Sequence, residues 1–313
     1  MNLEQLRVFV LVAQLGSLTN AAKTGGIAQS LISRKLTQLE DEWGDRLFHR
    51  TGRGVVLTEF GRRIQPHVQL LLAQTDRLRE EVKHVAGVPT GTVHVGLLPT
   101  LSREVVALLF PDIRAMAPAV RLQITEGLSG HLDAQLLSGQ LDLAIINRYG
   151  SIIGNEEDIL GQVESFVVGR PGAPLFKGKT VDFRDLDGVS LVLPTAPNGL
   201  RSVMEHNARH QGIRLNVVLE VDSLSTMQMI AMSGDVFTIS SFLAVEKEVT
   251  AGTLQAQKLV NPSISRTITL SITKHHQLSR ASRLVASRVR HLVPVLINDG
   301  VARAKTYMDL SQG

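Results

Sequence analysis

Cysteine is absent from all 313 residues, which removes disulfides, cysteine-ligated zinc, iron–sulfur clusters and thiol redox sensing from consideration. Long apolar runs are absent too: no segment reaches the roughly 18–20 residues needed to span a bilayer, so no membrane partner is expected. Arg7 interrupts the first apolar run and no small-residue cleavage site follows it, so no secretory signal is read and a cytoplasmic location is expected. Catalytic signatures are missing as well. There is no G-x-S-x-G elbow, no P-loop and no G-x-G-x-x-G. His206 and His210, four apart on an expected helix, lack a third ligand and read as a solvated face. The sequence therefore points to no enzyme, no metal and no cofactor.

What is present is ordinary for a chain that buries real cores: 43% hydrophobic and 20% charged residues, with a length that suits two or three domains. A net charge of +4 and a pI near 9.6 are compatible with a polyanionic partner without identifying one.

The N-terminal residues 1–61 carry the sharpest pattern. Leu3, Leu6, Phe9, Val10 and Ala13 recur at helical spacing and Gly16 ends the run. Ser17 can cap a second helix. Gly25-Gly26 supplies a tight turn, and I-A-Q-S-L-I-S-R-K-L-T-Q-L (residues 27–39) begins a third helix running to about Trp43. Leu31, Ile32, Leu36 and Leu39 face inward, leaving Gln29, Ser30, Ser33, Arg34, Lys35, Thr37 and Gln38 on the other side. Such side chains bond to base edges and phosphates, so a helix-turn-helix over residues 17–39 is expected, with this helix in a DNA major groove. Residues 47–58, L-F-H-R-T-G-R-G-V-V-L-T, read as a small hairpin or wing with Arg50 and Arg53 at its tip, suited to a narrow minor groove or its phosphates.

The succession G-S-L-T-N-A-A, A-Q-S-L-I-S-R-K-L-T-Q-L-E and L-F-H-R-T-G-R-G-V-V-L-T-E-F-G resembles the DNA-binding domain of LysR-type transcriptional regulators over about sixty ungapped residues. The resemblance implies a winged helix-turn-helix in which Gln29, Ser30, Ser33 and Arg34 meet bases and backbone and Arg53 serves the wing. Two positions depart from the family pattern. Gly25 and Gly26 stand where a bulky and a polar residue are usual, and Ala28 stands where a Ser or Thr often caps the recognition helix. Loss of such a cap costs about 0.5–2 kcal/mol locally.

Residues 58–86 read as a linker helix. Ile64, Val68, Leu71, Thr75, Leu78, Val82 and Val85 alternate by fours and threes, the seam of a coiled coil, so a homodimer is expected through this segment. A core helix packed within one subunit is the alternative. Pro66 removes one backbone hydrogen bond and is expected to bend the helix near Arg62.

Gly87, Pro89 and Gly91 mark a domain boundary. Beyond it strands alternate with helices, so a largely parallel α/β architecture is expected. One lobe is assigned to residues 90–162 plus 266–300 and a second to 163–265, with chain crossings near Gly161–Val163 and Pro262–Arg266 and a tail at 301–313. Two such lobes make a ligand cleft, and this region resembles the LysR effector domain, which is similar to periplasmic binding proteins of type 2. Pro99, Thr100 and Ser102 lie where a strand meets a helix N-terminus, and Ser129, Asn147, Thr195 and Thr238 lie at other strand ends. Free amides and hydroxyls at a helix N-terminus suit a carboxylate or other anion; helix capping or a loop hydrogen bond is the alternative for each. Asp222, after an expected strand, would disfavour an anion or recognise an amine.

The expectation is a multidomain LysR-type regulator: an all-α winged helix-turn-helix, a linker helix and a two-lobed α/β effector domain. It would bind double-stranded operator DNA and respond to a small anionic metabolite. The resemblance further implies dimers pairing into a homotetramer, and RNA polymerase is left open as a protein partner. Residues 193–201 and the S-L-S-T-M-Q-M-I stretch resemble nitrogen assimilation control regulators. The rival reading is a solute-binding protein with a helical N-terminal appendage and no DNA function.

Overall fold

The computed structural model describes residues 1–52, 54–83, 88–150 and 157–310. Arg53 of the wing tip and Val85 of the linker seam lie outside the described residues, as does the side chain of Val82. The chain divides into two compact units, one of residues 1–87 with 138–140 and one of 88–137 with 141–313.

The first unit runs α1 (Leu3–Leu15), α2 (Leu18–Gly25), α3 (Gln29–Trp43), β1 (Phe48–Thr51), β2 (Gly54–Leu57) and α4 (Glu59–Lys83). A reciprocal cap starts α1: the Asn2 side chain accepts from the Gln5 amide at 2.9 Å and the Gln5 side chain from the Asn2 amide at 2.8 Å. Ser17 caps α2 through the Asn20 amide. The core joins Leu6, Phe9 and Val12 to Ile32, Leu36, Leu39 and Leu47, with Phe9 set edge-on to Trp43 at 6.4 Å. The β1–β2 hairpin is antiparallel. It is pinned to the end of α1 by the Val55 amide, which donates to the Gly16 carbonyl at 2.8 Å. Gly54 makes that approach feasible: its φ is +147°, and a Cβ would sit 2.2 Å from the Gly16 oxygen.

Two expectations change here. Lys35 does not belong to the open face of α3; it is buried, and its ammonium pairs with Glu4 at 2.6 Å. The linker seam is split. Val68 and Leu72 are buried in the unit's own core with Ile64 packed against them, while Leu71 and Leu78 are exposed. The stripe drifts because an α-helix turns every 3.6 residues rather than 3.5. Helix α4 continues through Pro66.

The second unit holds two sheets. Strands β3 (Gly91–Leu97), β4 (Val120–Glu126), β5 (Leu143–Arg148), β6 (Asp158–Glu164) and β13 (Ser265–Ile272) form a five-stranded sheet ordered β4-β3-β5-β13-β6. Helices α5 (Ser102–Met116) and α10 (Arg280–Leu310) bury Val105, Leu109, Val285 and Val289 against it. Helix α6 (Ser129–Leu137) packs with Ala144 and Ile146 of β5. The other lobe contains β7 (Phe166–Gly169), β8 (Thr180–Asp182), β9 (Ser190–Leu193), α7 (Gly199–Gln211), β10 (Asn216–Glu220), α8 (Leu224–Ser233), β11 (Thr238–Ser240), α9 (Phe242–Thr250) and β12 (Gln255–Val260). Its four-stranded sheet is ordered β11-β7-β12-β8, with β9 and β10 paired alongside in parallel.

Neither main sheet is largely parallel. β13 runs antiparallel to both β5 and β6, and β7 is antiparallel to β11 and β12. The cause is the double crossing: strands that leave and re-enter a lobe run against the βαβ units that built it. The first crossing falls at Ser165, since Gly161 and Val163 are still paired within β6. The tail expected from residue 301 is helix as far as the described residues reach: α10 is continuous to Leu310. Its last turns place Ala304, Tyr307 and Met308 against Phe166, Phe242 and Ala256, so one helix is packed on both lobes.

Candidate nucleic-acid interface and effector site

The polar side of α3 is open. Gln29, Ser30, Arg34, Thr37 and Gln38 are exposed and Ser33 is half-buried. Gln29, Ser30, Ser33 and Arg50 come together with Ser17 and Thr19 around a groove of about 520 Å³ between α3 and the hairpin. Thr37 lies farther along with Ser33 and Arg50 beside Arg46 and His49. Gln38 stands apart, its Oε1 accepting a hydrogen bond from Gln5 Nε2 at 3.3 Å. Ala28 makes no side-chain cap, and Gly26 turns the chain in the left-handed region at φ +63°. Sequence pattern does not single out Thr19, whose hydroxyl donates to Gln29 Oε1 at 3.2 Å. No periodicity marks it, because it acts across the turn.

In the two-lobed unit the candidates divide. Thr100 and Pro99 are half-buried just before α5, and Ser102 is buried at its first position. Ser129 and Asn147 meet: the Ser129 hydroxyl accepts from the Asn147 amide at 3.0 Å. Thr195 is exposed, and its amide donates to Asp222 Oδ1 at 2.9 Å, so that carboxylate orders a loop. Thr238 is buried, its hydroxyl 3.8 Å from the Met227 sulfur. Beside them stands a charged network that no sequence motif announces. Arg148 binds Asp133 at 2.6 and 2.8 Å and also Glu157, which further accepts from Ser271 at 2.8 Å and Thr269 at 3.2 Å. The Asp133 and Glu157 bonds raise the Arg148 pKa beyond its ordinary value despite burial. For Glu157, burial pushes the carboxyl pKa up, but the bonds from Arg148, Ser271 and Thr269 outweigh it and the net shift is downward.

A cavity of about 440 Å³ lies elsewhere, lined by Phe166, Phe242, Leu243, Lys258, Lys305 and Met308 among others, and it contains none of the seven effector candidates. His206 and His210 are exposed with ring centroids 4.6 Å apart, and no group of three or more metal-binding side chains occurs among the described residues. Among the same residues no helix is long and apolar enough to cross a membrane.

Comparison with known proteins decides between the two readings. Residues 3–62 match the model of the bacterial regulatory helix-turn-helix protein, lysR family, and residues 86–293 match the LysR substrate binding domain. The chain belongs to the LysR family. It is 27% identical over 294 residues to the nitrogen assimilation regulatory protein nac of Klebsiella aerogenes, covering 94% of this chain and 95% of that one. It is 30% identical over 293 residues to the transcriptional regulator BbuR of Bordetella bronchiseptica, covering 91% and 89%. Its fold is similar to that of a full-length OxyR from Pseudomonas aeruginosa (TM-score 0.63, 24% identity, 94% and 95% covered). It is also similar to a full-length CbnR complexed with its target DNA (TM-score 0.65, 20% identity, 94% and 99% covered). This LysR-family protein is a DNA-binding transcriptional regulator with an effector-binding domain, and the family consists of regulators, not enzymes.

Proposed function

We propose that two copies of the chain, joined along α4, read paired half-sites of an operator and are switched by a small anionic metabolite held between the two lobes of the effector domain. The observation that carries the DNA half of this reading is the single groove shared by Gln29, Ser30, Ser33 and Arg50, where a helix face and a hairpin can grip one duplex. Gln29, Ser30, Ser33 and Arg34 reach base edges and phosphates, Thr37 and Arg50 bind the backbone, and Gln38 supports α3 from the α1 side. Exposed Leu71 and Leu78 support pairing along α4, and pairing suits half-sites about one helical turn, or a multiple, apart. Dimers assemble into a tetramer in the cytoplasm, with RNA polymerase as a further partner.

Thr100, Ser102, Ser129, Asn147, Thr195 and Thr238 lie at strand or helix ends, the part of such sheets where ligands sit. Switching requires the ligand to favour one lobe arrangement, since a ligand with equal affinity for both shifts nothing. Footprinting and salt titration on DNA upstream of the chain's own gene test the reading. Protection of paired half-sites with affinity falling steeply as salt rises is expected; salt-independent, sequence-blind binding would remove it.

A further inference from the structure

Arg266 lies in β13, just after the chain returns from the second lobe, and is only 5% exposed. Among the described residues its guanidinium makes one hydrogen bond, from Nη1 to the Tyr149 hydroxyl at 3.3 Å. Nε and Nη2 are buried and have no partner among the described residues. Ser165, fully buried at the other crossing, has an equally unpartnered hydroxyl. A desolvated cation without a counter-charge is among the costliest groups a fold can hold. By contrast Arg148, in the neighbouring strand, has two carboxylates.

The two free nitrogens are not an arbitrary pair. Nε and Nη2 form one edge of the guanidinium, the side-on fork whose two N–H groups match the two oxygens of a carboxylate. Arg288 uses that same fork on Asp112 at 2.6 and 2.9 Å. Strand alternation sets Arg266 on the face of Ile268 and Leu270, the face covered by α5 and α10. Tyr149 in turn packs on the other lobe, where a Cβ on Gly199, the first residue of α7, would lie 2.8 Å from its ring. The Arg266–Tyr149 pair therefore stands where one lobe meets the other, on the sheet face that carries the N-terminus of α5.

We propose that Arg266 sets the charge preference of the interlobe site, taking a ligand carboxylate on its Nε–Nη2 edge while Tyr149 holds the guanidinium in place. This rests on the reading that ligand binds between the lobes. It also explains the cost: the chain holds a buried charge with no counter-charge among the described residues, one that a ligand neutralises, so binding and lobe closure are coupled.

The test uses the full chain in thermal-shift titrations at constant ionic strength. The probes are formate, acetate, benzoate, succinate and 2-oxoglutarate, with benzamide and succinamide as uncharged counterparts and inorganic phosphate as the other oxyanion. At least one carboxylate should raise the wild-type melting temperature saturably, with no response to its amide and a weaker one to phosphate. Arg266→Met should weaken that carboxylate by about tenfold or more and Arg266→Lys should restore part of it. Without any probe, R266M should melt at or above the wild-type temperature, because it removes a buried charge rather than a satisfied bond. The proposal is overturned by a wild type indifferent to every carboxylate, by preference for phosphate, or by an R266M response within about twofold of wild type. A fall of more than about 5 °C for probe-free R266M would also overturn it, since the guanidinium would then be stabilising by itself. DNA affinity of the same preparations separates the two readings: carboxylate indifference with salt-dependent DNA binding intact removes this proposal alone, whereas loss of wild-type DNA binding removes the regulator mechanism.

Discussion

Thr19 donates its hydroxyl hydrogen to Gln29 Oε1 across 3.2 Å, tying α2 to the first residue of the recognition helix. That bond sits beside a turn that is otherwise loosely specified, with Gly25, Gly26 and an Ala28 that provides no side-chain cap. Ala28→Ser supplies the missing acceptor for the first-turn amides and should stabilise the N-terminal unit by about 0.5–2 kcal/mol. Thr19→Ala should act in the opposite direction by about 1 kcal/mol or less. Thermal unfolding followed by the fluorescence of Trp43, the chain's single tryptophan, reads both; an A28S variant no more stable than wild type would show that the turn is rigid without a cap.

Arg34→Ala and Arg50→Ala should weaken operator binding and lower the slope of log affinity against log salt by about one unit for each phosphate no longer neutralised. Gln29→Ala, which removes a side chain suited to a base edge, should leave the salt slope unchanged and reduce discrimination at one base pair by about 1–3 kcal/mol. Parallel titrations on wild-type and single-base-changed operators distinguish these outcomes, and a Q29A protein with full discrimination would take Gln29 out of direct readout.

The N-terminal unit was legible because its signals are local. Helix spacing, a Ser17 cap and a hairpin flanking Gly-rich residues each act within a few positions, and the observed boundaries follow them closely. What escaped was set by distance in sequence. Lys35 reads as surface until Glu4 is seen beside it. Arg148 and Glu157 are joined by Ser271, which comes from 114 residues beyond Glu157. The orphaned fork of Arg266 is invisible to any pattern, because the sequence does not announce that two nitrogens of a buried strand arginine lack partners among the described residues. Antiparallel β13 escaped for the same reason: its direction is fixed by the return crossing, not by its own residues.

The Glu157 network has a pH signature. Its carboxyl pKa in the folded state is lowered below the ordinary 4.5 by bonds that outweigh burial, so the unfolded state binds the proton more readily. Its contribution to stability is fully present above about pH 4.5 and is lost as pH falls through the folded-state value. Glu157→Gln should therefore destabilise the protein at neutral pH and flatten the acid limb of the melting-temperature profile. Equal acid sensitivity in E157Q and wild type would assign that limb to other carboxylates.

Leu78 is 61% exposed and Leu71 39% exposed on α4, positions that a second α4 would cover. Leu78→Glu should raise the dimer dissociation constant by at least about tenfold, since two carboxylates would face an apolar seam. Operator affinity should fall with it, because each half-site then binds without the effective concentration its partner supplies. Sedimentation of the L78E protein gives the answer, and an unchanged dimer would move the interface off this stripe.

Phe242 and Tyr307 meet at 5.1 Å between ring centroids, where the last turns of α10 settle on α9. Phe242 is buried in a cluster with Phe166, Val245 and Ala304, so Phe242→Ala should cost about 3–5 kcal/mol, mostly through the cavity left behind. Tyr307 is half-buried, and Tyr307→Ala should cost less. Because the rings touch, the double variant should be less destabilised than the sum of the singles by about 0.5–1.5 kcal/mol. The same ring pair bears on switching. The first part of α10 is packed on one lobe and its last turns on the other, so any change in lobe angle must slide or strain the Phe242–Tyr307 packing. Loosening it should ease closure: Y307A should bind ligand more tightly, relative to its own stability, than wild type does. Ligand titrations beside denaturant unfolding of the single and double variants test both halves. Additive unfolding costs with unchanged ligand affinity would show that α10 ends in a passive cap.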